Sequence, residues 1–261
     1  MTSSAVIAAL CLPADARVDQ RVPKKLLLEN GAPTAADKRQ INDGIEELHW
    51  LAALKPATIG VPVFRDDTRE YLEIAVLSLT LRAGAKASRL TELIHRAIPY
   101  PVFLIQSQPG GLTLSLSHLR WSQGQAAQTV LDGPLVVARL SEEANMARCE
   151  NGTSEPTPSP FLSSLSLTSQ PRQHLHALYQ GWMERFEAHA AAHLTGIFTP
   201  APDAAAAERR RTALAEHERL TREMTSLRAR AGKETQLNRR VELNLQLKQL
   251  ETKIHTDFVN L

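Results

Sequence analysis

Val102-Phe103-Leu104-Ile105, then Gln108-Pro109-Gly110-Gly111, then Leu112-Thr113-Leu114-Ser115-Leu116-Ser117-His118 is the stretch that decides the fold class. The first run is apolar on both faces, as expected of a central strand. The Pro-Gly-Gly segment carries turn chemistry. The last run alternates apolar with polar residues, the period-2 signature of a strand with one polar face. Joined by so short a turn, the two runs predict an antiparallel hairpin at the heart of a sheet.

Upstream, Tyr71 to Leu81 reads as a further strand, with Leu77, Leu79 and Leu81 alternating against Ser78 and Thr80. Asp66-Asp67-Thr68 reads as a turn, and Thr58 to Phe64 as a short strand whose Pro62 suggests an edge or end position. Ser88 to Ala97 reads as a helix with Leu90, Leu93, Ile94 and Ala97 turned inward. From Ala35 to Leu54, Ile41, Ile45, Leu48, Leu51 and Leu54 recur at steps of four and three, which predicts an amphipathic helix ended by Lys55-Pro56. Thr34 or Asp37 can cap it. Downstream, Pro134 to Leu140 predicts one more strand. Together these elements predict an α+β domain over 1–144, with a small, mostly antiparallel sheet and two packed helices.

Residues 145–170 turn rich in Ser, Thr and Pro and read as a flexible connector. Helix returns over 171–261. Leu175, Leu178, Trp182, Phe186 and Leu194 mark a packed face, and Pro200-Ala201-Pro202 ends that segment. Asp203 to Phe258 then reads as a long helical region broken near Gly232. Leu220, Met224, Leu227 and Ala231 lie before the break. After it come Leu237, Val241 and Asn244, beside Leu243, Leu247, Leu250 and Ile254. Folded back at the glycine, the two stripes would bury each other as an antiparallel helical hairpin. Asn238 and Asn244 within the apolar zone are candidates for fixing helix register.

Composition narrows the function classes. With a formal net charge of +2 and 5% aromatic residues, the chain lacks the basic excess and stacking platforms of a dedicated single-strand binder. Its two cysteines, Cys11 and Cys149, form no CxxC pattern and read as separate thiols rather than a disulfide, consistent with a reducing compartment. Ser4 to Leu12 is apolar but has no basic start, so it reads as a small buried strand or helix, not an export signal. Asn151-Gly152-Thr153 matches a glycosylation acceptor by chance on that reading. No run approaches the about 20 apolar residues that span a bilayer. The expectation is a cytoplasmic protein with no membrane contact.

Chemistry-bearing patterns are scarce. A restriction-type nuclease site needs acidic metal ligands and a lysine two residues past one of them. Asp66, Asp67, Glu70 and Glu73 supply acids, but Glu73 is followed by Ile74-Ala75. His189 and His193 share a helical face at the spacing of zinc helices, yet Ala190-Ala191-Ala192 between them offers no glutamate base. His174 and His176 lie two apart, and His49 and His95 read as helix-flank residues. There is no Gly-x-Ser-x-Gly elbow, GxxxxGK[ST] loop or GxGxxG turn. No catalytic residue, metal ligand or cofactor is assigned. The C-terminal cations Arg209 to Arg211, Arg219, Arg222, Arg228, Arg230, Lys233, Arg239 and Arg240 alternate with glutamates, the pattern of a salt-bridged surface with a basic edge.

Three segments carry a family resemblance: Lys24-Lys25-Leu26, Ile98-Pro99-Tyr100-Pro101-Val102-Phe103-Leu104, and Lys233 through Asn244 (KETQLNRRVELN). In that order they resemble the bacterial family known as domain of unknown function 4391. The resemblance implies a setting in restriction or phage-defence loci, beside Swi/Snf-type helicases and DNA methyltransferases, and no established catalytic residues. The expected role is a non-enzymatic accessory subunit docking to a helicase or DNA methyltransferase, with Arg228, Lys233, Asn238, Arg239, Arg240 and Asn244 as interaction residues. Direct DNA binding by the basic edge is the alternative, and a metal-dependent nuclease resting on Asp67 and Glu73 the third.

Overall fold

Residues 35–54 show how side-chain packing overrides local periodicity in this chain. The computed structural model describes residues 2–124, 129–140 and 159–257. In it, the predicted 35–54 helix is two elements: α3 runs only from Ala35 to Gly44, and Ile45 to Leu54 is strand β2. The misreading has a geometric origin. Strand β2 carries bulges between Ile45 and Glu47 and between Trp50 and Ala52. One extra residue at a bulge turns the strand's two-residue spacing into three. Ile45 and Leu48 therefore point to the same core, as they would on a helix.

Helix α3 starts where Thr34 accepts the Asp37 amide, and it stops for a tertiary reason. A Cβ on Gly44 would lie 2.8 Å from Leu90 Cδ1. Beside it, Lys24 donates to the Asn42 carbonyl at 2.9 Å and also to Ile45, while Arg82 donates to the Asn42 and Asp43 carbonyls. Two cations thus satisfy the carbonyl end of α3 where the backbone turns into β2. Burial and the nearby Arg82 hold the Lys24 pKa below its ordinary value. Lys24→Met is expected to cost about 1–2 kcal/mol, read as a lower urea midpoint with an unchanged m-value.

The main sheet has six strands in the order β1-β2-β5-β6-β7-β8: Arg17–Arg21, Ile45–Leu54, Ile74–Leu81, Val102–Gln108, Gly111–Trp121 and Thr129–Leu140. All neighbours are antiparallel except β5 and β6. That parallel pair is bridged by helix α5, Ala87–Ala97. The predicted hairpin is β6–β7, with Leu104 opposite Ser115 and Gly110 at φ 98° in its turn. β6 is central, as its apolar run demands. The sheet is larger than predicted because Ile45–Leu54 is a strand and Arg17–Arg21 pairs with it as an exposed edge strand; the parallel β5–β6 pair makes it mixed. Thr58 to Phe64 is not a strand: Pro56–Ile59 is a helical turn (α4), and only Phe64–Arg65 (β3) pairs with Glu70–Tyr71 (β4).

Helices cover both faces. Alternation along β6 sends Val102 and Leu104 to one side and Phe103 to the other. On the first side α2 (Lys24–Asn30), α3 and α5 bury Leu27, Ile41, Leu90, Leu93 and Ile94 against Leu77, Leu79 and Leu104. On the second, Phe103 meets Trp182 and Phe186 of helix α7, Leu175–Thr195, with ring centroids 5.0 and 5.7 Å away. Helices α1 (Ser3–Ala9) and α6 (Pro160–Ser164) close that side, where Phe161 packs on Phe186 and the Leu167 amide donates to the Leu10 carbonyl. The 145–170 connector expectation, Cys149 and Asn151–Thr153 lie outside the described residues as far as 158, whereas Phe161, Leu162 and Leu165 are buried.

Two compact units divide the chain, 1–186 and 187–261. In the second, α8 (Ala204–Lys233) and α9 (Leu237–Asp257) share a small apolar cluster of Leu227, Ala231, Leu243 and Leu247, flanked by Met224 and Leu250. Gly232 lies within α8, and the interruption falls at 234–236. No helix among the described residues is long and apolar enough to cross a membrane.

Candidate functional site

The three family-like segments behave differently once folded. Lys24 is absorbed in capping α3. Ile98 is buried and its amide closes α5 on Ile94; the Pro101 carbonyl accepts the Ala75 amide at 2.9 Å, and Tyr100 stands edge-on to Trp50 at 6.5 Å. Ile98-Pro99-Tyr100-Pro101 therefore launches β6 alongside β5. The third segment, 233–244, sends only Leu243 into a buried cluster.

Around that residue the second unit exposes apolar side chains. Leu237 is 69% exposed, Val241 50% and Leu245 58%. They recur every four residues, a step that advances about 40° around a helix, so they form one slowly drifting stripe. It faces away from the Leu243–Leu247 side. Arg240, Asn244 and Lys248 run beside it at the same spacing, all exposed. Asn238 and Asn244 are thus solvent-facing and do not set a buried register; the α8–α9 seam selects Leu243, Leu247 and Leu250 instead.

The cations of this unit separate into two groups. Arg219 forks onto Glu216 at 2.7 and 2.8 Å and reaches Glu223; Arg211 holds Glu187 and Glu208. Arg228 pairs with Glu251 at 2.7 Å, and Lys253 with Glu216 at 3.4 Å. The Arg219 hydrogen bond holds the Glu216 carboxyl down at about 2. By contrast Arg209, Arg210, Arg230, Lys233, Arg239, Arg240 and Lys248 have no ion-pair partner among the described residues. Four of these, Arg230, Lys233, Arg239 and Arg240, lie near the α8–α9 junction beside the exposed stripe, whereas Arg209 and Arg210 lie near the start of α8.

The acids of the nuclease expectation do not converge. Asp66 is consumed by its own turn, accepting the Thr68 and Arg69 amides and the Thr68 hydroxyl, and these bonds lower its pKa. Glu70 pairs with Arg65, and buried Glu73 with Lys55 at 2.9 Å. Asp67 is exposed. No group of three or more potential ligands among His, Cys, Asp and Glu is assembled to hold a metal ion among the described residues.

One constellation had only the His174/His176 spacing to announce it. His118 on β7, His176 and Tyr71 gather under the start of α7, with the His118 and His176 rings stacked at 5.0 Å and Phe64 stacked on His176 at 4.8 Å. The Gln180 amide donates to Glu184 at 3.2 Å, which turns its oxygen toward His118 Nε2 at 2.8 Å. Nε2 then carries the proton, and Nδ1 accepts the Tyr71 hydroxyl. Tyr71 is fully buried, and burial raises its pKa. Burial, with His118 adding, lowers His176 to about 4. The neutral network pins α7 to the sheet and offers no exposed nucleophile. His49 and His95, expected on helix flanks, also change place. His49 lies on β2 beside Glu47, and His95, though on α5, is fully buried against Ser115 at 2.9 Å.

The chain is an α+β protein with helices on both faces of a mixed sheet and a charged helical pair at its C-terminal end. It belongs to the family described as domain of unknown function DUF4391, which it matches over residues 10–254. No curated protein and no solved structure matches it.

Proposed function

We propose that this protein is a non-enzymatic accessory subunit of a bacterial restriction or anti-phage system, docking to a helicase or DNA methyltransferase of the same locus. In this reading α8 and α9 form an antiparallel arm, and the Leu237–Val241–Leu245 stripe is its contact. The ion pairs Lys253–Glu216 and Arg228–Glu251 support the arm, since residue numbers rise along one helix as they fall along the other. The observation that carries the reading is an exposed apolar stripe amid unpaired cations, running through and one residue beyond a segment of family likeness that the fold barely uses. Apolar anchors rimmed by positive charge complement an apolar groove with an acidic rim.

Affinity purification of the full chain from its native locus, beside the triple variant Leu237→Glu, Val241→Glu, Leu245→Glu, tests this. Wild type is expected to retain the helicase or methyltransferase at fixed stoichiometry and the variant to lose it. Retention by the variant, or no such partner on wild type, defeats the proposal.

The unpaired Arg230, Lys233, Arg239 and Arg240 also favour a second reading, duplex DNA contact. Binding would then weaken steeply with salt, and replacing Arg239 and Arg240 would flatten the log–log slope by about two phosphate contacts. Absence of binding at low salt removes that reading.

A further inference from the structure

We propose that His189 and His193 form a binding site for a borderline divalent transition ion of the Cu2+, Ni2+ or Zn2+ class. Both lie in the last two turns of α7, one helical turn apart, and their Nε2 atoms face each other at 3.2 Å with the rings at 74°. Metal–imidazole bonds of about 2.0–2.1 Å at a tetrahedral angle place two ligand nitrogens about 3.3 Å apart. The pair therefore stands at chelating separation, and a rotation of the two rings about their side-chain torsions turns both Nε2 lone pairs onto one ion.

Two further features favour a cation there. Ala190-Ala191-Ala192 between the ligands are strong helix formers, so the spacing is held by backbone rather than by rotamer choice. The helix ends just beyond, at Thr195, where the Gly196 amide bonds the Ala192 carbonyl and φ turns to 79°. The carbonyl end of a helix carries negative partial charge, which stabilises a cation beside it. Without metal, one ring donates its Nε2 proton to the other. Metal binding needs both Nε2 lone pairs, so that ring moves its proton to Nδ1, and neither imidazole changes charge. Water or a partner's side chain completes the coordination. The expected preference is Cu2+ above Ni2+ and Zn2+.

The test is titration of the untagged full-length protein with Cu2+ and Zn2+ in a non-chelating buffer, by calorimetry and by Cu2+ electron paramagnetic resonance. One equivalent is expected to bind with two nitrogen ligands and raise the melting temperature. His189→Ala and His193→Ala should each weaken binding about tenfold or more and abolish the thermal shift. His49→Ala should change neither. Circular dichroism of each variant without metal establishes that the helix is intact. Unaltered binding in either single variant, or no binding by wild type, overturns the assignment.

Discussion

Replacing Trp182 with alanine is expected to destabilise the 1–186 unit by about 3–5 kcal/mol, a large share of the about 5–15 kcal/mol that holds a domain together. Trp182 is completely buried and stands edge-on to Phe103, while its indole nitrogen donates to the Leu165 carbonyl at 2.9 Å. Truncation removes the ring that joins helix α7 to the central strand and strands a carbonyl in an apolar layer. Trp182→Phe keeps an aromatic ring and should cost about half as much. Chemical denaturation with matched m-values distinguishes the two. A loss below about 1 kcal/mol for the alanine variant would mean that α7 is not docked on the Phe103 face.

Acid should unfold this protein through its buried histidines. Burial lowers His95 to about 3, and His176 falls to about 4 through burial and the stacked His118. Both values lie below the about 6.5 of an unfolded histidine. The unfolded chain therefore binds more protons than the native one through this window, and stability increases with pH. It is complete above pH 6.5 and falls as pH drops toward 4 and then 3. Each fully buried imidazole steepens the loss by up to about 1.4 kcal/mol per pH unit. The partly exposed His176 contributes less. His95→Gln keeps a polar partner for Ser115 without the titration, so its stability-against-pH curve should be shallower by nearly one proton. An unchanged slope would show that His95 takes up its proton without unfolding. The Asp37 carboxyl, lowered to about 2 mainly by Arg89, adds a further loss only below about pH 3.8.

The site was half legible in the amino-acid order. Residues 233–244 were marked by family likeness, and their basic character by simple spacing. Which of their apolar residues face solvent was not, because Leu237–Val241 and Leu243–Leu247 have equivalent four-residue periodicity on a helix. Only the docking of α8 selects the second pair and exposes the first, together with Leu245. The asparagines follow the same logic, lying on the face the seam rejects. The His118–Tyr71–His176 network was beyond reach because its members are distant along the chain and meet only when α7 crosses the sheet.

Local chemistry by itself determined the β6–β7 hairpin, helix α5 and the helical C-terminal region. There, alternation, turn residues and helical stripes agree with what each segment buries. The tertiary structure decided the 35–54 segment, the edge strand β1 and the exposed face of α9. In the first, two bulges gave a strand the spacing of a helix, and contact with Leu90 and Lys24 chose between them. In the second, a polar run became a strand because β2 offered it an unpaired edge. A residue pattern records how often a side chain is buried. Which partner buries it is settled only when the chain closes on itself.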